Sequence, residues 1–382
     1  MERHPTTAKS WVEVSRSALR HNAQGLKRLI TPGSAFMAVV KSNAYGHGTA
    51  EVVRSIRDIA DWFGVDSLVE AEEVRGTGVR QPILILGYVT PQERVRATRL
   101  GFSQVIGDRA GLKAAAAGAG RNRPAKLHLK IETGTSRQGI LMDKLPAFAR
   151  YASRLPHVVI EGISTHFANI EDASDASYAM RQLDRFRKSV GLLEGLGIRP
   201  RLRHVACSAA AILYPETHFD LVRIGISLYG LWPSELTRQS AKTRGRKLEL
   251  RPALRWKTSV AQVKALPRGT PVSYGLTERL RRDSSVAVLP TGYWDGLDRR
   301  RSSVGHVLVR GRKVKILGRV CMNMCMVDVT GLRGVRSDDE VVILGSQGRQ
   351  AIGAEEIADE LGTINYEVVT RINPRLPRVV VA

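Results

Sequence analysis

AFMAVVKSNAYGHG, residues 35–48, decides how the rest of the chain is read. Its first half is a continuous apolar run with little alternation, as in a parallel strand covered on both faces. The run stops at Lys41, and Gly46 and Gly48 let the backbone turn from strand to helix. Seven runs of the same kind follow, at 62–67, 83–87, 103–107, 126–133, 158–167, 202–208 and 221–230. Between them lie segments with helix-like apolar spacing, among them 50–61, 91–100, 111–118, 145–154, 178–195 and 209–215. Strand–helix alternation on this scale predicts an α/β fold, a (β/α)8 TIM-type barrel.

The pattern then changes. Residues 232–252 are polar and basic and contain Pro and Gly, which reads as a linker or surface excursion. Beyond them, strand-like runs follow one another with turn residues between, and helical signal is limited to 354–361. This predicts a mostly antiparallel β domain. The expected division is 1–240 for the barrel and 241–382 for the β domain, and 382 residues suit two such domains.

The formal net charge of +23 raises the question of a polyanionic partner. The basic residues are spread along the chain, and their densest runs (75–80, 94–99, 121–130, 242–247 and 299–301) are not interleaved with aromatics. That excludes a stacking platform for single strands and reads as a solvated basic surface, with no specific nucleic-acid partner. Three cysteines, Cys207, Cys321 and Cys325, are too few for a disulfide framework and lack the spacing of a zinc site. The opening MERHPTTAKS has no apolar core of a secretory signal. No apolar run reaches the ~18 residues of a membrane span. The expectation is a cytoplasmic protein.

Lys41 sits at the C-terminal end of the first predicted strand, the end at which barrels do chemistry. An amine withdrawn from water there is freed for imine formation. Arg223 lies inside the apolar run LVRIGISLYGL, and a charge in such a run needs a partner.

AVVKSNAYGHG resembles the cofactor-lysine motif of the alanine racemase family, a lysine ending strand one, a tyrosine four residues on, then Gly-His-Gly. The resemblance implies that Lys41 binds pyridoxal 5'-phosphate as a Schiff base and acts as one acid/base, while Tyr45 donates to the cofactor phosphate. KIETGTSRQGI (130–140) resembles the family's Lys-x-Asp-Thr-Gly-x-x-Arg-x-Gly pattern, with Glu132 in place of the aspartate. By that match Arg137 orients the substrate carboxylate and contacts the cofactor's phenolic oxygen, as suits a planar fork of donors. Lys130 matches a lysine often carbamylated in the family. STHFAN places His166 by the pyridine ring. RHVACSAA places His204 behind the ring-nitrogen arginine and makes Ser208 a phosphate ligand, a serine that also suits a helix N-cap. Arg223 is implied to contact the ring nitrogen, and the amides of Gly225 and Ile226 to complete the phosphate cradle.

The resemblance continues through the β domain. VSYGLT makes Tyr274 the opposing catalytic base, contributed by the partner subunit of a homodimer. LPTGYWDGL places Tyr293 at the substrate entry. GRVCMNMCMVDVT gives Met322 to the substrate carboxylate, with Asn323 where aspartate is commonest. INYEVVTRINPRLPRVV makes Tyr366 a phosphate ligand. The motifs run in family order from about Trp11 to the C-terminus. They imply interconversion of L- and D-alanine by a two-base mechanism through an external aldimine of the cofactor, supplying D-alanine for peptidoglycan.

Asn323 motivates an alternative, a broad-specificity amino-acid racemase. A basic amino-acid decarboxylase on the same architecture is disfavoured by Arg223, because that family places a glutamate at the ring nitrogen. The high positive charge motivates a third reading, a non-enzymatic cofactor-homeostasis or polyanion-binding protein; the β domain and Tyr274 weigh against the former.

Overall fold

The computed structural model describes residues 7–382. The reading of residues 1–10 as lacking a leader falls largely outside them. All eight predicted parallel runs form strands: after β1 (Ser10–Ser15) come β2 (Ala35–Val39), β3 (Trp62–Val65), β4 (Ile83–Ile85), β5 (Ser103–Ile106), β6 (Ala125–Lys130), β7 (Val158–Ser164), β8 (Leu202–His204) and β9 (Leu221–Ile224). β2 to β9 make one parallel sheet in the order β8-β7-β6-β5-β4-β3-β2-β9. The ring is nearly closed between β8 and β9, where Asp220 N donates to Arg203 O and Arg223 N to Ala206 O. Each strand is shorter than its apolar run: residues 202–208 give only Leu202–His204. The residues beyond the strand ends turn into the loops that carry the candidate side chains.

Inside this barrel, Met37, Trp62, Leu84, Val105, Leu202 and Leu221 pack together, one from each of six strands. Their burial accounts for the unbroken apolar runs of those six strands, each covered inside by this cluster and outside by helices. The barrel unit comprises residues 18–44 and 53–251.

The second unit comprises residues 7–17, 45–52 and 252–382. It holds β10 (Leu254–Ser259), β11 (Gln262–Leu266), β12 (Pro271–Val272), β13 (Glu278–Arg279), β14 (Ser284–Leu289), β15 (His306–Val309), β16 (Arg312–Leu317), β17 (Cys325–Asp328), β18 (Glu340–Gln347), β19 (Gln350–Ile352) and β20 (Arg378–Val381). The main path is β11-β14-β17-β16-β15-β18-β10-β1-β20, antiparallel except for the β1–β20 pair. β1 therefore lies among strands more than 240 positions away, although the sequence division gave it to the barrel. The contacts place the later boundary at 251/252 rather than 240/241.

Two readings are corrected. The supposed linker contains an α-helix, Glu235–Thr243, whose cap residue Ser234 accepts from Thr237 N. Helical structure in the β unit extends beyond 354–361 to a second helix, Asn365–Thr370, which carries Tyr366. Among the described residues no helix is long and apolar enough to cross a membrane.

Candidate active site

Lys41 follows β2 directly, and its Nζ lies 3.0 Å from Asp66 Oδ1. The next four residues take a conformation that L-amino acids avoid. Ser42, Asn43, Ala44 and Tyr45 all have positive φ, between 50° and 56°. A left-handed turn costs roughly 1–2 kcal/mol per residue. It persists because its ends are held: Ser42 N donates to Glu70 Oε1 at 2.7 Å, and Ala44 N to Val40 O. In the β unit, Gly46 O accepts from Nε and Nη2 of Arg378. Gly46 itself has φ +83°, and a Cβ there would lie 2.0 Å from Val369 O.

Arg223 on β9 is buried, and its Nη1 donates to His204 Nδ1 (2.6 Å) and His204 O. Its Nη2 donates to the carbonyls of Thr165 and Val205 and lies 3.3 Å from His166 Nδ1. Among the described residues no carboxylate lies within ion-pair distance of it, and its Nε–H has no acceptor. Burial pulls Arg223 down to about 10, so it stays protonated at neutral pH. Burial, reinforced by the positive charge of Arg223, holds His204 well below the usual imidazole range. His166 is held there by burial and then by Lys130 and Arg223.

Lys130 ends β6. Burial, then the charges of Arg223 and Arg137, depress its amine well below the ordinary lysine range. Arg137 is exposed on the loop that follows. That loop is organised by Glu132, which accepts from the amides of Gly134, Thr135 and Arg137. Burial opposes the Glu132 charge, but these amides outweigh it and hold the carboxyl below its usual range. The glutamate that departs from the family pattern thus caps the turn that presents Arg137.

Ser208 is the first residue of the helix Ser208–Leu213, not its cap. Cys207 takes the cap position, without a side-chain bond. Ser208 Oγ instead accepts from Gly225 N at 3.1 Å and Ser227 N at 3.5 Å. Ile226 opens the tight turn Ile226–Tyr229. Ser227 Oγ is buried there with no partner among the described residues.

The candidates of the β unit fall into three places. Tyr45 and Tyr366 pair, with ring centroids 6.2 Å apart. The turn of Tyr293 is tied to the loop of Met322 and Asn323, because Tyr293 N donates to Cys321 O and Trp294 N to Met322 O. Tyr274 stands alone on a short turn with Ser273 and Gly275 at positive φ, and its side chain is 72% exposed. Tyr293, Met322 and Asn323 are exposed as well.

The family model for the alanine racemase N-terminal domain matches residues 14–233, and that for the C-terminal domain matches residues 253–380. The chain belongs to the alanine racemase family. It is 40% identical to the alanine racemase of Desulfovibrio desulfuricans, over 97% of this chain and 98% of that one. It is 41% identical to the alanine racemase of Desulforamulus reducens, over 97% and 98%. Among solved structures, the alanine racemase of Bacillus anthracis with bound L-Ala-P superposes with a TM-score of 0.92 at 33% identity, covering 99% of this chain and 96% of that one. The alanine racemase of Streptomyces lavendulae gives 0.89 at 35%, covering 99% and 98%. The resemblance read from the motifs and the barrel-plus-β architecture are both borne out.

Four residues near these alanine-racemase motifs were not singled out by the motifs themselves. Asp66 ends the second barrel run and looks like an ordinary loop acid until it meets Lys41. Ser227 sits inside an apolar run, where one serine is unremarkable. Glu161 and its neighbour His128 interrupt two adjacent apolar strands, and that shared interruption was the legible clue.

Proposed function

We propose that the chain interconverts L- and D-alanine as a homodimer in the cytoplasm, using pyridoxal 5'-phosphate and supplying D-alanine for peptidoglycan. The observation that carries this is Arg223. Its two Nη groups are fixed by four oxygen and nitrogen acceptors, and one N–H is left for a ligand. The donor set fits the cofactor. Ser208 Oγ, the unpartnered Ser227 Oγ and the Ile226 amide suit its phosphate, and the Gly225 amide joins them on exchanging its hydrogen bond to Ser208 Oγ. Arg223 Nε–H suits its ring nitrogen, Arg137 its phenolic oxygen, and Tyr45 and Tyr366 offer two further hydroxyls to the phosphate.

When bound, the cofactor makes the amino acid's Cα–H bond acidic enough to break. Lys41 holds it and moves a proton at one face of Cα. Tyr274, from a second copy of the chain, moves a proton at the opposite face. A tyrosine acting as base needs positive charge nearby, which the Arg223 guanidinium beside neutral His166 supplies. His166 and His204 stay neutral beside Arg223, so the ring nitrogen meets a hydrogen bond and not an acid. Lys130, whose amine burial and its cationic neighbours hold well below the ordinary lysine range, is fit for carbamylation, and the resulting anion would position Arg137. Arg137 and the Met322 amide receive the substrate carboxylate, with Tyr293 and Asn323 at its approach.

The test is formation of D-alanine from L-alanine by the wild-type chain and by Lys41→Ala, with serine, lysine and arginine in parallel. We expect alanine turnover that Lys41→Ala reduces by about 10⁴-fold. No D-alanine from the wild type overturns the proposal. The broad-specificity reading is not favoured, since the relatives named above are all alanine racemases; equal rates on the four amino acids would restore it.

A further inference from the structure

Arg223 raises a question that its own contacts do not answer. It is a buried cation without a carboxylate in contact, and burying an uncompensated charge is costly. Following its hydrogen bonds outward leads to a carboxylate. His204 Nδ1 accepts from Arg223 Nη1 at 2.6 Å, so in the neutral ring the proton sits on Nε2. That Nε2 lies 2.8 Å from His128 Nδ1, which must then accept, leaving the His128 proton on its own Nε2. His128 Nε2 lies 3.2 Å from Glu161 Oε2. The chain of donors runs one way, from guanidinium through two imidazoles to a carboxylate, and it fixes both tautomers.

The surroundings are built for this path. His128 and His204 are fully buried, with ring centroids 5.0 Å apart. The Trp62 ring meets His128 edge-on at 5.9 Å. Opposite His128 in the neighbouring strand is Gly162, where a Cβ would lie 2.3 Å from His128 Nδ1. Only glycine leaves room for that ring. Glu161 also accepts from Ser103 Oγ at 2.6 Å. Burial opposes its charge, but the His128 and Ser103 hydrogen bonds outweigh that and keep the carboxyl below its usual range.

We propose that Glu161 is a positioning residue for the racemase reaction: acting through His128 and His204, it supplies the counter-charge and the directional hydrogen bonds that hold the Arg223 guanidinium in register with the cofactor ring. This rests on the racemase reading above. Glu161 touches neither cofactor nor substrate.

The test compares Glu161→Leu and Glu161→Gln with wild type. Nitrogen-15 spectra of histidine-labelled full-length chain report the ring tautomers without cofactor or substrate, and kcat and KM are measured on the same preparations loaded with cofactor. In the wild type, His204 and His128 should both show the neutral Nε2–H form. Glu161→Leu should lose that signature at His128 and His204 and lower kcat by about tenfold or more, with KM within about twofold. Glu161→Gln keeps an acceptor for His128 Nε2–H. It should restore the tautomers but only part of kcat, because the charge is gone. Folded variants with wild-type tautomers and wild-type kcat overturn the proposal. So does an equal rise in KM and fall in kcat/KM with kcat unchanged. If Glu161→Leu does not fold, Glu161→Gln decides alone: wild-type kcat there removes the counter-charge role. Should the wild type make no D-alanine, the racemase reading fails, while the tautomer comparison still reports on the relay.

Discussion

The two units carry their candidate residues in opposite ways. In the barrel, Arg223, His204 and Ser208 are buried and hydrogen-bonded to one another's neighbourhoods within one chain. In the β unit, Tyr274, Tyr293 and Met322 are exposed. The barrel residues are organised by their own fold, so removing one damages the fold as well. The exposed ones cost the single chain nothing to keep or lose, as expected of groups whose work begins only when a second surface covers them.

Breaking that contrast should begin with Tyr274→Phe. It should lower racemisation by about 10²–10⁴-fold, and unequally in the two directions, while leaving the melting temperature unchanged. A drop in melting temperature would mean that Tyr274 is part of the chain's own core. Arg223→Leu should do the opposite to stability. It strands three carbonyls and His204 Nδ1 and should cost about 3–5 kcal/mol in denaturant titration, in addition to abolishing activity.

Acid should act on the barrel through His128, His166 and His204. All three are depressed, by burial first, so on acidification the unfolded chain takes up protons before the folded one. Stability is then complete above about pH 6.5 and declines below it, each histidine contributing at most about 1.4 kcal/mol per pH unit. Melting curves from pH 8 to about 5 check this; a flat profile across that window would remove the buried neutral histidines. Finally, Lys41→Ala and Tyr274→Phe chains, each inactive, should regain about a quarter of wild-type activity when refolded together, because about half of the random dimers hold one intact site. No recovery would assign both groups to the same chain.

The barrel was legible because strands buried on both faces leave unbroken apolar runs, and nothing else in a sequence looks like eight of them in alternation with helices. The first strand was not. Ser10–Ser15 reads like any short β run, and its partners lie near residues 255 and 380, beyond the reach of local pattern. The helix Glu235–Thr243 was hidden by its polarity, since only Thr237 and Ala241 are buried. Its Ser-x-x-Thr start was the available sign. For the site, motif spacing found the residues that face a ligand, whereas Asp66 and Glu161 matter through what they touch, which spacing does not record. The partner that the apolar run demands for Arg223 is a set of carbonyls and imidazoles, and the carboxylate of Glu161 stands two imidazoles away.

The left-handed turn after Lys41 has a consequence for how that lysine is held in place. The local bond from Ala44 N to Val40 O is small against four successive positive-φ residues, so in an unfolded chain the segment wanders elsewhere. Its two anchors, Glu70 on one side and the Arg378 contact with Gly46 on the other, come from different units and from positions 28 and 332 residues away. Neither anchor exists until the residues that provide it are folded, so the turn is held only in the folded protein. The placement of Lys41 therefore depends on two distant parts of the chain at once, and substitution of either Glu70 or Arg378 should loosen it.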